Sequence, residues 1–278
     1  MPHRTNPRDT DWDLEWERAW KAHRANSWFR YQAEAYGAWV EKHLGPLSAG
    51  GAVRVLKTDA FEEACGFRFL QRSLAGHQRV LMDVSPRILA RAVDGDERNE
   101  RHALACATDV RRLGLRSAAF DLIVSPSTLD HFADERDIAA SLDELHRALR
   151  PGGYLVISLD NPANPILRVR RAVHRFSGPV GGLIPFPMGR TLSRSALVRA
   201  LTRCGFEVME SGYLVHAPRL FGLWLAEWTA RRGTLALGKR LHDWLWQWDR
   251  ALAGAPLRRW TAHFVIAACR RPPSRPGA

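Results

Sequence analysis

Apolar residues along this chain follow two rhythms. Short, nearly continuous apolar runs at 53–56, 79–82, Leu104–Ala107, 120–124 and 154–159 predict buried strands. Between them, apolar positions recur every third or fourth residue, which predicts helices. Ile138, Leu142, Leu145 and Leu149 mark one such stripe over 138–149, and Arg150 with Pro151-Gly152-Gly153 turns the chain out of it. This alternation predicts an α/β fold, a Rossmann-like and mainly parallel sheet with helices on both faces. Ligands on such sheets sit at the carboxyl ends of the strands, near the switch point.

The flanks read differently. Residues 9–46 predict a helical extension, with Trp12, Trp16 and Trp20 on one face. A second helix there carries Trp28, Tyr31, Ala35 and Trp39 and ends near Gly45-Pro46. Docking onto the main domain is the favoured role for this 1–50 extension, and a lid over a substrate is the alternative. The Rossmann-like core then spans 51–160. Residues 160–190 break the pattern with Asn161-Pro162, Asn164-Pro165, Gly178-Pro179, Gly181-Gly182 and Pro185-Phe186-Pro187, around an arginine-rich helix at 167–175. Ser193 is a good N-cap for a helix burying Leu197, Leu201 and Cys204; Gly205 ends that helix before a strand at 206–209. A tryptophan-rich stretch at 220–253 and a last strand at 263–269 complete a substrate-side region, 161–271. A Pro/Ser/Gly tail follows at 272–278.

Composition narrows the setting. The 278 residues are 46% hydrophobic, enough for a sizeable core. No apolar run approaches the roughly 18 residues of a spanning helix, and the N-terminus has no apolar signal core, which points to the cytoplasm. Cys65, Cys106, Cys204 and Cys269 are scattered and form no C-x-x-C pair, so neither a metal site nor a disulfide framework is expected. Charge is uneven: 22 basic and 23 acidic side chains in 1–150, against 19 and 6 in 151–278. The basic half suits an acidic substrate, anionic headgroups or nucleic acid, or is simply a solvated arginine-rich surface. Nucleic acid is the weakest of these, because no recognition module is evident. Apolar faces at 220–228 and at Leu241, Trp244, Leu245 and Trp248 are core by default. With the nearby arginines they could also make a peripheral membrane surface or a tunnel for an apolar substrate.

Several polar residues sit where strands end. Asp83 closes a strand and can accept two hydrogen bonds from a ribose diol; the alternative is an acid at the start of the helix opened by Ser85-Pro86. Asp109 can accept from an exocyclic amine, with Val110 covering the ring, or simply pair with Arg111 or Arg112. His131 suits proton removal, oriented by Asp130, or packs against a backbone carbonyl. Asp160 and Asn161 follow the fifth strand as candidate substrate contacts. His216 and Arg219 lie after a later strand, where Arg219 either binds a substrate anion or caps a loop.

Together these segments resemble the class I S-adenosylmethionine-dependent methyltransferases of the methyltransferase-11-like type. The resemblance covers about residues 53–160 and rests on Leu81-Met82-Asp83-Val84-Ser85-Pro86, Ala107-Thr108-Asp109, Phe120-Asp121-Leu122-Ile123-Val124-Ser125 and Leu149-Arg150-Pro151-Gly152-Gly153. It implies S-adenosylmethionine as cofactor. Asp83 would take its ribose and Asp109 its adenine, with Val84 and Val110 beside them and Ser125 lining the channel. The first loop departs from the family. Lys57 stands at the family's acidic position, and Asp59, Phe61 and Glu63 at its three glycines. Glycine lets backbone amides approach a ligand, so this cradle is reshaped. Lys57, Thr58 and Asp59 become the expected new contacts, with Lys57 pairing with the methionine carboxylate. A K-T-D-x-F-E-E loop of this kind resembles one branch of methyltransferase-like proteins. The favoured function is methyl transfer, most often to oxygen, on a small apolar or lipid-like molecule. A cyclisation or elimination on the same fold, or a non-catalytic binding protein, are the alternatives.

Overall fold

A computed structural model describes residues 27–48, 51–66, 73–74, 76–94, 103–177, 189–231 and 235–273. The stripe at Trp12, Trp16 and Trp20, residues 178–188 and most of the tail lie outside the described residues.

In chain order the elements are α1 (Ser27–Ser48), β1 (Arg54–Lys57), α2 (Phe61–Ala64), β2 (Gln78–Asp83), α3 (Pro86–Asp94), β3 (Leu104–Ala107) and β4 (Phe120–Pro126). A single 3-10 turn at Leu129–His131 leads to α4 (Glu135–Ala148), β5 (Leu149–Asp160), α5 (Pro165–Ser177), α6 (Arg194–Arg203) and β6 (Glu207–Leu214). Helices α7 (Arg219–Arg231), α8 (Leu235–Ala253) and α9 (Arg258–Thr261) precede β7 (Phe264–Arg270). The seven strands form one sheet in the order β3-β2-β1-β4-β5-β7-β6. Strands β1 to β5 pair in parallel, and β7 alone runs against its neighbours β5 and β6.

The continuous apolar runs are explained by burial on both faces. Leu122, Val124, Val156, Ile266 and Ala268 point into one core, against Trp28, Tyr31, Ala35, Val40 and Leu44 of α1 and Leu241 and Leu245 of α8. Ile123, Leu155, Ile157, Val265 and Ala267 point into the other, against Ile138, Leu142 and Leu145 of α4 and Leu197 and Leu201 of α6. Neighbouring strand residues alternate between the two faces, so both must be apolar.

Local capping behaves as the residues dictate. Ser193 Oγ accepts from Ala196 N–H, and Gly205 follows α6 at φ +87. Asn164 Oδ1 accepts from the Ile166 and Leu167 N–H groups, with Pro165 as the first residue of α5.

One expected turn is not a turn. Helix α4 stops at Ala148, and Pro151-Gly152-Gly153 lies inside β5. Leu149 pairs with Phe120 before the register shifts between Phe120 and Leu122. Gly152 takes φ +80, and a Cβ on Gly153 would lie 2.9 Å from the Asp121 carbonyl oxygen. The glycines therefore serve a bulge, where the strand bends around its neighbour.

Candidate functional site

The carboxyl ends of β1, β2, β4 and β5 open on one edge, and the altered first loop sits at the end of β1. It contains no left-handed residue: positive φ values among the described residues fall elsewhere. That is why side chains are tolerated where glycines are expected. Three of its amides are also occupied. Thr58 N–H bonds the Val124 carbonyl, Ala60 N–H bonds Asp83 Oδ2, and Phe61 N–H bonds Asp59 Oδ1. Lys57, almost wholly buried, spends its ammonium on Glu62 Oε2 at 2.9 Å, Glu63 Oε2 at 2.8 Å and the Asp59 carbonyl. Burial opposes its charge, but Glu62, Glu63 and Asp59 hold its pKa above the usual lysine range. Burial and crowding with Glu62 push the Asp59 carboxyl up, and burial raises Glu63 despite Lys57. The lysine thus neutralises the loop's own acids.

Further along, Asp83 is buried and accepts from the backbone N–H of Ser85 at 2.9 Å and of Ala60 at 3.2 Å. Burial raises its pKa in spite of these bonds. Val84 beside it is 45% exposed, an apolar surface open to a ring, whereas Val110 is buried. Asp109 is gripped by Arg111, whose Nε and Nη2 make three bonds to its two oxygens and whose N–H adds a fourth. Those bonds hold the Asp109 carboxyl below its ordinary pKa against the effect of burial. Thr58 Oγ1 donates to the fully buried Ser125 Oγ at 2.9 Å and also contacts Thr128 Oγ1, tying the ends of β1 and β4 together.

Beyond β4 and β5 lies a second polar cluster. Ser127 takes φ +45, and its N–H bonds both the carbonyl and the hydroxyl of Ser158. That strained corner aims the 3-10 turn so that Asp130 lies buried behind it. Asp130 Oδ2 accepts from Asp160 N–H at 2.7 Å and from Ser127 Oγ at 3.2 Å; its Oδ1 is buried and has no partner among the described residues. Neither oxygen bonds His131, which stands half-buried on the same turn. Segment 189–191 crosses above: Gly189 N–H bonds the Asp130 carbonyl, and Thr191 Oγ1 bonds the Asp160 carbonyl. A Cβ on Gly189 would come within 2.3 Å of the Phe132 carbonyl oxygen, so the crossing requires glycine.

Burial and the nearby Asp130 push the Asp160 carboxyl up to about 6. Its Oδ1 lies 3.7 Å from Nε2 of His263, the residue just before β7. That nitrogen also meets Arg219 Nη1 at 2.7 Å. A guanidinium has no acceptor, so Nε2 must accept and the proton sits on Nδ1. Burial, with Arg219 and Arg170 near, keeps the His263 imidazole neutral, well below its usual pKa. Arg219 is itself pushed down to about 10 by burial and by Arg170. The Arg170 Nε atom is buried without a partner among the described residues.

Arg219 is aimed by a corner that packing fixes. Val215 takes φ +62, an unusual value for a β-branched residue. Its carbonyl accepts from His263 N–H, and His216 N–H bonds Asp249 Oδ1 at 2.6 Å. The His216 ring bonds Thr261 Oγ1 at 2.9 Å, on the packed side of this corner. Asn161 likewise uses both amide protons on the Arg259 and Ala262 carbonyls. His216 and Asn161 thus fasten the backbone around the cluster, while Asp130, Asp160 and Arg219 converge in it. The convergence of Tyr36, Arg170 and His263 was not foreseen. Tyr36 hydrogen-bonds Ser158 of β5; Tyr36 comes from α1, Arg170 from α5, and His263 from the position just before β7. Only the antiparallel placement of β7 beside β5 brings His263 to Asp160.

Residues 61–157 match the family model described as a methyltransferase domain, and the match begins at the first residue of α2. A probable S-adenosylmethionine-dependent methyltransferase of Mycolicibacterium smegmatis is 28% identical over 238 residues, covering 83% of this chain and 74% of that protein. A candidate sarcosine dimethylglycine methyltransferase from Galdieria sulphuraria shares the fold at TM-score 0.57, with 15% identity and 85% of each chain covered. The 1,6-didemethyltoxoflavin-N1-methyltransferase of Burkholderia thailandensis, solved with S-adenosylhomocysteine, does so at TM-score 0.51, with 17% identity over 85% of this chain and 76% of that one. The residues present fit a sulfonium nucleoside. Asp83 and Val84 offer a carboxylate and an apolar surface at the end of β2. The methionine carboxylate meets no unused N–H on Thr58, Ala60 or Phe61, and Lys57 would have to exchange a partner to reach it.

Proposed function

We propose that this class I S-adenosylmethionine-dependent methyltransferase acts on an oxygen of a small, amphipathic, lipid-like molecule lodged beyond the ends of β4 and β5. When bound, the cofactor supplies a methyl group activated by a positive sulfur. Asp83 would hold the ribose, Asp109 and Val110 the adenine side, and Thr58 and Ser125 the channel wall.

One observation supports the acceptor's side of this reading: the buried, unpartnered Oδ1 of Asp130. A carboxylate oxygen in that state calls for a donor, and a hydroxyl provides one. The carboxylate aligns the hydroxyl and takes its proton as the oxygen gains the methyl group. The backbone N–H of Asp160 holds the other oxygen of that carboxylate in place. Burial keeps competing water from the two acids.

The lipid-like half of the reading is supported by α7. Leu220, Phe221 and Trp224 are each about half exposed and begin immediately after Arg219. Phe221 stacks on Trp224 and packs edge-on against Trp244 of α8. An apolar tail, or the surface of a bilayer, suits this face. No helix among the described residues is long and apolar enough to cross a membrane.

Titration with S-adenosylmethionine and S-adenosylhomocysteine, followed by incubation of labelled cofactor with hydroxylated amphiphiles, tests the reading. An O-methyl product supports it. Failure of both nucleosides to bind, with no effect of Asp83→Ala on any ligand, removes it.

A further inference from the structure

We infer that Arg170 and Arg219 form an oxyanion subsite, so that the acceptor carries a carboxylate or phosphate group in addition to the hydroxyl facing Asp130. This rests on the proposed reading of the cluster as the acceptor's site.

Buried guanidinium groups ordinarily meet carboxylates. Among the described residues, neither Arg170 nor Arg219 has a carboxylate within ion-pairing distance, although Asp130 and Asp160 are near. Arg219 donates instead to a neutral imidazole, and Arg170 leaves Nε buried and unpartnered. Arg170 also weakens Arg219 and His263 as charged groups, the mark of crowded positive charge. An oxyanion between the two arginines would relieve that crowding and satisfy the orphaned donor. Guanidinium groups suit such a ligand, because their planar forks match carboxylate and phosphate oxygens.

The surroundings support a ligand rather than a missing internal pair. Asp160 is kept from the arginines by its position: its N–H is bonded to Asp130, its carbonyl to Thr191, and its Oδ1 lies toward His263. Asp130 uses Oδ2 on Asp160 N–H and Ser127. Two opposite polarities thus remain open in one cluster, an acceptor on Asp130 and a donor on Arg170. A hydroxy acid or a phosphate ester with a free hydroxyl answers both. The exposed Leu220, Phe221 and Trp224 begin one residue beyond Arg219, where the apolar remainder of such a molecule would emerge.

The test is calorimetric titration of the full chain with inorganic phosphate and, separately, with butyrate, in wild type, Arg170→Met, Arg219→Met and Arg199→Met. Arg199 is exposed on α6 and serves as control. Saturable binding of at least one anion is expected, weakened tenfold or more in the first two variants and unchanged in the third. Stronger phosphate binding assigns a phosphate ester; stronger butyrate binding assigns a carboxylic acid. Should Arg→Met variants fail to fold, phenylglyoxal labelling of the wild type reads the same site: either anion must protect Arg170 and Arg219 and leave Arg199 reactive. No saturable binding, equal weakening in Arg199→Met, or no protection overturns the inference. S-adenosylhomocysteine titrated into the same wild-type sample separates the two ideas. If it binds while the anions do not, the substrate class alone is wrong; if the anions bind and it does not, methyl transfer alone is wrong.

Discussion

The phenol of Tyr31 in α1 donates to the carboxylate of Asp249 in α8, and the same oxygen accepts from the backbone N–H of His216. One buried carboxylate therefore joins α1, α8 and the strained corner that leads to Arg219. Tyr31→Phe should cost about 1–2 kcal/mol in urea denaturation, the usual range for one lost buried hydrogen bond. Asp249→Ala should cost about 3 kcal/mol or more, because it orphans two buried donors. If both variants unfold like wild type, the corner is held by other contacts.

Lys57→Met should be the most damaging change in the first loop. It leaves Glu62 and Glu63 without their shared cation in a buried setting, at a cost of about 3–5 kcal/mol near neutral pH. The pH dependence has a defined sign. Asp59 and Glu63 carry raised folded-state pKa values, so they favour folding in acid and disfavour it as pH rises. The variant should accordingly regain stability on acidification from neutrality to pH 5. A melting temperature in Lys57→Met that falls on acidification contradicts this.

Asp160 makes a second pH statement. Its folded-state pKa is raised to about 6 from an ordinary value of 3.8, so its stabilising contribution is present in acid and lost as pH climbs through that window. The groups facing it are Asp130, Arg170, Arg171, Arg219 and His263. Asp160→Asn should flatten the stability profile between pH 4 and 6 and raise stability at pH 7 by about 1–2 kcal/mol. Denaturation midpoints measured across that range check it.

Turnover should depend on Asp130 more than on His131. Asp130→Asn keeps the shape and removes the proton acceptor, so kcat should fall about 100-fold or more. His131→Asn should change kcat by less than about tenfold, because no bond joins it to Asp130. The reverse order would return the base role to His131.

Contact with a lipid surface makes a separate prediction. Wild-type chain should co-sediment with anionic vesicles more than with neutral ones, and less so as salt rises. Trp224→Ser should weaken that binding several-fold without changing cofactor affinity. Equal sedimentation with both vesicle types removes the membrane surface from the picture.

Much of the architecture was present in residue order. Apolar runs such as 120–124 could be read as strands because a strand buried on both faces admits no polar position. Ile138, Leu142 and Leu145 could be read as a helix because one stripe faces the sheet. The Pro151-Gly152-Gly153 segment misled, since turn residues also serve bulges, and the difference depends on what Asp121 and Leu149 do nearby. Asp83 and Asp109 stood out because a short-range pattern puts them at strand ends. The partners of Asp109, both oxygens on Arg111, were among the stated alternatives.

The one-dimensional pattern alone established the parallel core, the strand-end acids and the exchange of glycines for charge in the first loop, since each depends on near neighbours and on which faces are buried. It could not establish that Lys57 would be consumed by Glu62 and Glu63, nor that Asp130, Asp160, Arg170, Arg219 and His263 would meet. Those side chains come from different strands and helices, and only the reversed last strand, slotted between β5 and β6, carries His263 to Asp160. Hydrophobic periodicity reports what is buried; which buried charges face each other is decided by the packing of distant segments.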